Sequence, residues 1–423
     1  MRGWPRYAQY KASGVEWLGD VPEHWETWKV THGFQLIGSG TTPKSDNADL
    51  YDGDTPWVTT SELRESVIYD TAQKVSDDAI DQYSALKKYP VGSVAIAMYG
   101  ATIGRLGILG VEATFNQACC VFAKPIVFYN RFFYYWLWMR RPILISLSNG
   151  GGQPNLSQDD LKKIWIPAPS ITEQTAIAQF LDQKTAQIDA LISKKQQLLE
   201  KLAEQRTALI SHAVTKGLDP NAPMKDSGVA WLGEVPEHWE ITPLKWHSNC
   251  SSGENIKNET LLKNSDEQNN IGAYGGNGFM GYTDSFNVKA PVLIVGRVGA
   301  LCGNVHLLTN NAWVSDNALI LRVSERFCLE FLTHVLRSRD LNTLASKTAQ
   351  PLITSTQVCS EKIPLPPNSE QTAITQFLDQ KTAELDQMAA KVKAVIDKLK
   401  EYRAALITQA VTGQIDVRQC MGD

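Results

Sequence analysis

The side chains with most chemical potential in this 423-residue chain are two histidines beside acids, Glu23-His24 and Glu237-His238, and one glycine-rich turn ending in lysine, Gly38-Ser39-Gly40-Thr41-Thr42-Pro43-Lys44-Ser45. A histidine could serve as a general base or metal ligand, but neither has a nucleophile or further ligands at a useful spacing, so both read as structural. The turn resembles a phosphate loop, yet Pro43 stands where that motif needs glycine before its lysine. Proline also removes an N–H that a phosphate would want. The sequence holds no G-x-G-x-x-G behind a strand, no G-x-S-x-G elbow and no H-E-x-x-H. It also lacks the Asn-Pro-Pro-aromatic motif of an amino-group methyltransferase and the acidic pair followed by lysine of a metal-dependent nuclease. Its carboxylates are scattered next to lysines, as on solvated faces. The chain reads as a binder rather than an enzyme.

The elements that would position a binding surface are written twice. Glu173–Thr185, EQTAIAQFLDQKT, returns as EQTAITQFLDQKT at Glu370–Thr382, 197 residues on. Ser13–Glu26, SGVEWLGDVPEHWE, returns as SGVAWLGEVPEHWE at Ser227–Glu240, 214 residues on. Glycines and Pro22 break the aromatic motif into turns whose tryptophans pin it to a neighbouring surface. Between the motifs lie blocks with short strand-like runs at 93–98, 103–109 and 118–123, and again at 292–295, 305–308 and 318–323. Phe132–Met139 reads as a helix that fills the first core, matched by Phe331–Leu336. Smaller echoes are Gly100-Ala-Thr-Ile-Gly104 with Gly299-Ala-Leu-Cys-Gly303, and Gln153-Pro154 with Gln350-Pro351.

After Ile166-Pro-Ala-Pro169 and Ile363-Pro-Leu-Pro366 the pattern turns helical, as proline requires. Ser170 with Glu173, and Asn368 with Gln371, have capping-box spacing. A heptad seam runs through Ile177, Leu181, Ile188, Leu191, Leu198, Leu202 and Leu209, with Phe180, Ile192 and Leu199 widening it. The second copy offers Ile374, Leu378, Leu385, Met388, Val395, Leu399 and Leu406. Some 42 residues of helix make a rod of about 60 Å, and an apolar-seamed rod of that length needs a partner. The other copy is the nearest one. The linker after Lys216 leads directly into the second block, which favours antiparallel pairing.

Composition sets the outer limits. At 43% hydrophobic and 20% charged residues the chain is an ordinary globular one, long enough for two or three domains. No apolar run approaches the ~18–20 residues of a membrane span, and Met1-Arg-Gly-Trp-Pro does not open a signal peptide. Seven cysteines without paired spacing suit a reducing cytoplasm. A net charge of −4 argues mildly against a nucleic-acid partner on average, though a basic groove can sit inside an acidic whole.

The repeated motifs, together with GTTPKSDNADLYDGDTPWVTTSEL at Gly40–Leu63 and IPAPSITEQTAIAQFLDQKTAQID at 166–189, resemble the specificity subunit of a type I DNA restriction–modification system over nearly the whole chain. The resemblance implies an α+β protein: two similar α/β target-recognition domains joined by two long antiparallel helices forming a coiled coil, pseudo-twofold overall. The expected divisions are an N-terminal segment 1–26, recognition domains 27–169 and 241–366, and spacer helices 170–216 and 367–413. A linker 217–240 and a tail 414–423 complete the chain. Each domain would read one half of a split site on double-stranded DNA, about a helical turn apart. Expected DNA contacts are Thr41, Thr42, Lys44, Thr59, Thr60, Arg105, Asn116 and Gln117 in the first domain. Lys257, Asn277, Arg297 and Asn317 are the candidates in the second. Amides, hydroxyls and arginines are the side chains that read base edges and hold phosphates. Lys194, Lys195, Gln196 and Lys391 would face two methyltransferase subunits, with two restriction/translocase subunits joining. No cofactor is expected in this chain; S-adenosylmethionine, ATP and magnesium would belong to the partners. The competing reading is an adaptor that spaces two protein partners without touching DNA.

Overall fold

A computed structural model describes residues 4–146, 155–346 and 350–419; the Gln153-Pro154 echo lies outside them. The chain divides into two units, one of residues 1–194 with 395–423, the other of residues 195–394. Each long helix is thus shared, one half to each unit.

The two units build the same sheets from different side chains. In unit 1 an antiparallel core runs in the order 34–38, 119–125, 94–97, 106–109, and strand 66–68 extends it in parallel. In unit 2 the same order is 248–252, 318–323, 292–296, 305–308. A second small sheet holds a parallel pair in each, Thr114–Phe115 on Trp57–Val58 and Ala312–Val314 on Gly272–Tyr274. The core strands are nearly continuous apolar runs because both faces are covered. Val94, Ile96 and Ala97 are all fully buried, as are Leu293, Ile294 and Val295. Helix Asn130–Ser146 closes unit 1 with Phe132, Phe133 and Trp136 at 0% exposure, and Leu329–Ser338 does the same with Phe331 and Leu332.

The long helices run from Ile171 to Lys216 and from Asn368 to Val411. In unit 1, Asp189 pairs with Arg403 at 2.7 Å; in unit 2, Arg206 pairs with Asp386 at 3.3 Å. Seventeen residues up the first helix, the partner lies seventeen residues down the second, so the pairing is antiparallel. The buried stripe differs from the expected seam. Ile177, Leu181, Ile188, Ile374, Leu378, Leu385 and Leu406 are buried, and Leu202, Leu209 and Leu399 are half-buried. Leu191, Leu198, Met388 and Val395 are instead 38–51% exposed. The stripe passes through their neighbours: Ile192 and Ile396 are buried and Leu199 half-buried. One residue is a 100° rotation on a helix. Where two adjacent residues are both apolar, packing against the partner decides which one turns inward.

The capping boxes also change role. Ser170 Oγ accepts the Glu173 N–H at 3.3 Å, but the Glu173 carboxylate does not reach back. It accepts from Tyr7 Oη at 2.7 Å and Trp25 Nε1 at 3.1 Å, and meets His24 Nε2 at 2.9 Å. Glu370 repeats the arrangement with Trp239 at 3.1 Å and His238 at 2.8 Å. The neighbouring glutamine is spent the same way in both copies. Gln174 bonds Val127 O, Pro169 O and Tyr129 N, and Gln371 bonds Arg326 O, Pro366 O and Cys328 N. Each E-Q pair therefore fastens its helix to its own sheet block and aromatic motif, and each histidine is a structural partner.

Unit 1 also gathers the two ends of the described chain. Asp416 N donates to Pro5 O, Tyr10 Oη donates to Gly413 O, and Arg418 forks onto Asp416 at 2.8 Å through both Nε and Nη2. The Arg418 hydrogen bonds hold the Asp416 carboxyl below its ordinary value, against the opposing effect of burial. A carboxylate lowered on folding stabilises above its unfolded pKa, and that contribution fades as pH falls through the folded value. Denaturant unfolding followed by circular dichroism at stepped pH is expected to show Asp416→Asn less stable than wild type at neutral pH and flatter with pH, with the gap closing below about pH 4. Identical pH profiles would refute the role.

Candidate nucleic-acid interface

The loops carrying the expected contacts converge at one sheet edge in each unit. In unit 1, Gly40 N donates to Asn116 O, Thr41 N to Phe115 O, and Asn116 N to Val58 O. These bonds gather the 40–44, 58–61 and 115–118 loops. The 98–105 turn joins them through Met98 N to Ala118 O and Ala97 N to Arg105 O. Aromatic groups brace the first loop from behind: Trp57 Nε1 donates to Thr41 O, Tyr51 Oη to Pro43 O, and Lys44 N to Tyr83 Oη. Tyr89 Oη donates to Ser39 O at 3.1 Å, and burial pushes its phenol up to about 12, so it stays a donor.

The side chains left facing outward are polar. Thr42 Oγ1 donates to Gln117 Oε1 at 2.6 Å, so these two share one site. Thr59 Oγ1 meets Ser61 Oγ at 2.7 Å. Lys44 and Gln117 are exposed; Thr41, Thr59, Thr60 and Arg105 are half-buried at the edge. Asn116 is set apart, because its Oδ1 accepts Ala118 N and caps the strand start.

Unit 2 repeats the backbone plan. Gly253 N donates to Ala318 O, Ser315 N to Tyr274 O, Arg297 N to Asn317 O, and Gly296 N to Asn304 O. Matching these bonds makes Asn304 the counterpart of Arg105, and Asp316 that of Gln117. The aligned pairs thus differ in charge and in hydrogen-bonding sense. Asn277 and Asn317 are exposed, and Arg297 donates from Nη1 to Ser252 Oγ at 3.3 Å while its Nε is buried without a partner. Lys257 is exposed on the loop after strand 248–252. The structure adds Ser252 and Arg64, whose Nε donates to Ser61 O; neither stands in a repeated motif that would single it out. The Gly100/Gly104 and Gly299/Gly303 echoes also find their reason. All four have φ between +75° and +91°, a left-handed turn that glycine adopts without strain.

Among the described residues, no group of histidine, cysteine and acidic side chains could hold a metal, and no helix is long and apolar enough to cross a membrane.

A family model for the type I restriction modification DNA specificity domain matches residues 22–201 and again 237–398. The chain belongs to that family and is a type I restriction–modification specificity subunit with two such domains. Among similar proteins, the MjaVIII specificity subunit of Methanocaldococcus jannaschii is 25% identical over 94% of both chains. The EcoprrI specificity subunit of Escherichia coli is 24% identical over 81% of this chain and 84% of its own. A chain solved in work on complex assembly and conformational transition of the type I R-M system superposes with TM-score 0.75 at 14% identity, covering 92% of this chain and 98% of its own. The HsdS subunit of Thermoanaerobacter tengcongensis does so at 0.55 and 15%, covering 93% and 98%.

Proposed function

We propose that each unit reads one half of a bipartite DNA site and that the paired helices set the interval between the halves. The supporting observation is the repeated edge: equivalent loops on equivalent strands, carrying Thr42–Gln117 and Arg105 in one unit and Asp316 and Asn304 in the other. A shared backbone with different donor and acceptor sets is what two readers of unlike sequences require. The contact residues are Thr41, Thr42, Lys44, Thr59, Thr60, Arg105 and Gln117, and Lys257, Asn277, Arg297 and Asn317; Asn116 serves chiefly to shape its loop. The recognition domains are 27–169 and 241–366. The subunit has no turnover of its own, works in the cytoplasm, and leaves S-adenosylmethionine, ATP and magnesium to two methyltransferase and two restriction subunits. In complex with its methyltransferase partner it protects one split sequence, and exchanging residues 27–166 changes only one half of it. Uniform protection of scrambled duplexes would overturn the reading.

The methyltransferase contact falls on the helix faces that pairing does not use. Lys194, Gln196 and Lys391 are exposed, and Lys195 is half-buried. Beside them in unit 1, Leu191, Val395 and Tyr402 are 41–47% exposed on both helices. Such apolar groups at every seventh residue suit a docked helix. Val395→Glu with Tyr402→Glu is expected to weaken co-purification with the methyltransferase at least tenfold while the melting temperature changes little. Undiminished association would remove this surface from the account.

A further inference from the structure

The two units differ at one matched place away from the candidate DNA edge. In unit 1, Tyr135 Oη donates to Asp182 at 2.6 Å, and one turn on, the Arg403 guanidinium lies 5.2 Å from the Trp138 ring centroid. The ring face occupies that arginine. In unit 2 the same positions read differently. His334 stands for Tyr135, with Nε2 4.0 Å from Asp379, and Arg337 stands for Trp138 opposite Arg206, the repeat of Arg403. A cation has replaced the aromatic ring, so two guanidinium groups and a histidine line one cavity.

The cavity there is about 170 Å3, lined by Arg206, Thr207, Ile210, His334, Arg337 and Ser338. That is several times the ~30 Å3 share of one water. Each nearby carboxylate already faces another group, and neither pairs with Arg337. Asp386 meets Arg206 Nε at 3.3 Å and Asp379 stands by His334, both with side chains more than 60% exposed. Arg337 has no carboxylate partner among the described residues; its Nε donates to Val305 O at 3.0 Å, leaving its terminal N–H groups. His334 Nδ1 is buried without a hydrogen-bond partner, and Arg206 Nε has only its ion pair with Asp386. Like charges in a partly desolvated pocket repel unless an anion sits between them, and arginine forks match phosphate oxygens.

We propose that this cavity in unit 2 binds a phosphate group, held by Arg206 and Arg337 with His334 and Ser338 alongside. The site stands apart from the DNA-reading edge and does not depend on that assignment. In unit 1 the Trp138 ring stands at the matching place, against Arg403.

The test is calorimetric titration of the full chain with inorganic phosphate, alone and with saturating duplex. One saturable site is expected in wild type. Arg337→Trp, which installs the side chain unit 1 carries at the matching position, should weaken it more than tenfold and leave the phosphate-free melting temperature nearly unchanged. If that variant does not fold, Arg337→Gln removes the charge alone and should give the same loss. Phosphate binding that persists with duplex assigns the site to free phosphate; binding that duplex abolishes assigns it to a phosphate of the DNA. No saturable binding, or wild-type affinity in a folded Arg337 variant, overturns the proposal.

Discussion

Glu173→Ala is expected to cost the folded state about 3–5 kcal/mol, clearly more than Glu370→Ala. The Glu173 side chain is only 4% exposed; it accepts from Tyr7 and Trp25, meets His24 and lies 4.0 Å from Arg418 Nε. Trp25 is wholly buried and Tyr7 nearly so. Burial and the Glu173 carboxylate both push the Tyr7 phenol above its ordinary value, so it remains a donor at any working pH. Removing the acceptor strands two buried donors, each costing about 1–3 kcal/mol. His24, half exposed, turns to water instead. At Glu370 the side chain is 27% exposed and Tyr7 has no counterpart, since Asn221 stands at the repeated position. Water can satisfy Trp239 Nε1 in part, and about 1–2 kcal/mol is expected there. Denaturant unfolding of both variants gives the comparison. Equal losses would mean that the end-gathering contacts of unit 1 contribute nothing through this carboxylate.

Gly40→Ala is expected to abolish discrimination in one half-site and lower duplex affinity of the methyltransferase complex at least tenfold, with melting temperature falling far less than in Glu173→Ala. A Cβ at Gly40 would lie 1.6 Å from Phe115 O, a backbone atom that cannot rotate away. The 40–44 loop must then move off the 115–117 turn, breaking the Gly40 N and Thr41 N bonds that hold it. Thr42 and Gln117, joined by one hydrogen bond, separate as a consequence. Unit 2 offers the matched experiment. A Cβ at Gly253 would lie 2.3 Å from Ser315 O, so Gly253→Ala should damage reading of the other half only. Overpacking of this kind costs about 1–3 kcal/mol where the surroundings can give. Protection assays on a duplex set varied one half-site at a time separate the two. Intact discrimination in both variants would place the reading surface elsewhere.

Much of the architecture was legible because the chain repeats itself. Two sets of short strand runs, two aromatic motifs and two proline-stopped helices are all visible as letters, since each rests on local chemistry: proline stops, glycine turns and a helical apolar period. The histidines read as structural, but their glutamate partner was not visible. Glu173 lies 149 residues from His24, and no short-range spacing reports such a contact. The expected capping role of Glu173 failed for the same reason, because a buried tryptophan and tyrosine compete for its oxygens more strongly than its own helix start. Asn116, a weaker contact candidate whose other reading was a strand cap, accepts Ala118 N at the start of its strand.

Sequence alone determined that this protein is two related halves, each a sheet block fastened to a long helix, with unlike polar loops between constant motifs. Periodicity and repetition carry that information because they act over a few residues at a time. Tertiary structure alone decided which of two adjacent apolar residues, Leu191 or Ile192 and Val395 or Ile396, turns to the partner helix. It also decided which loops meet at the sheet edge, and that Arg337 shares a cavity with Arg206 where Trp138 receives Arg403. Such choices depend on groups far apart in the chain, and only the packed state brings them within reach of one another.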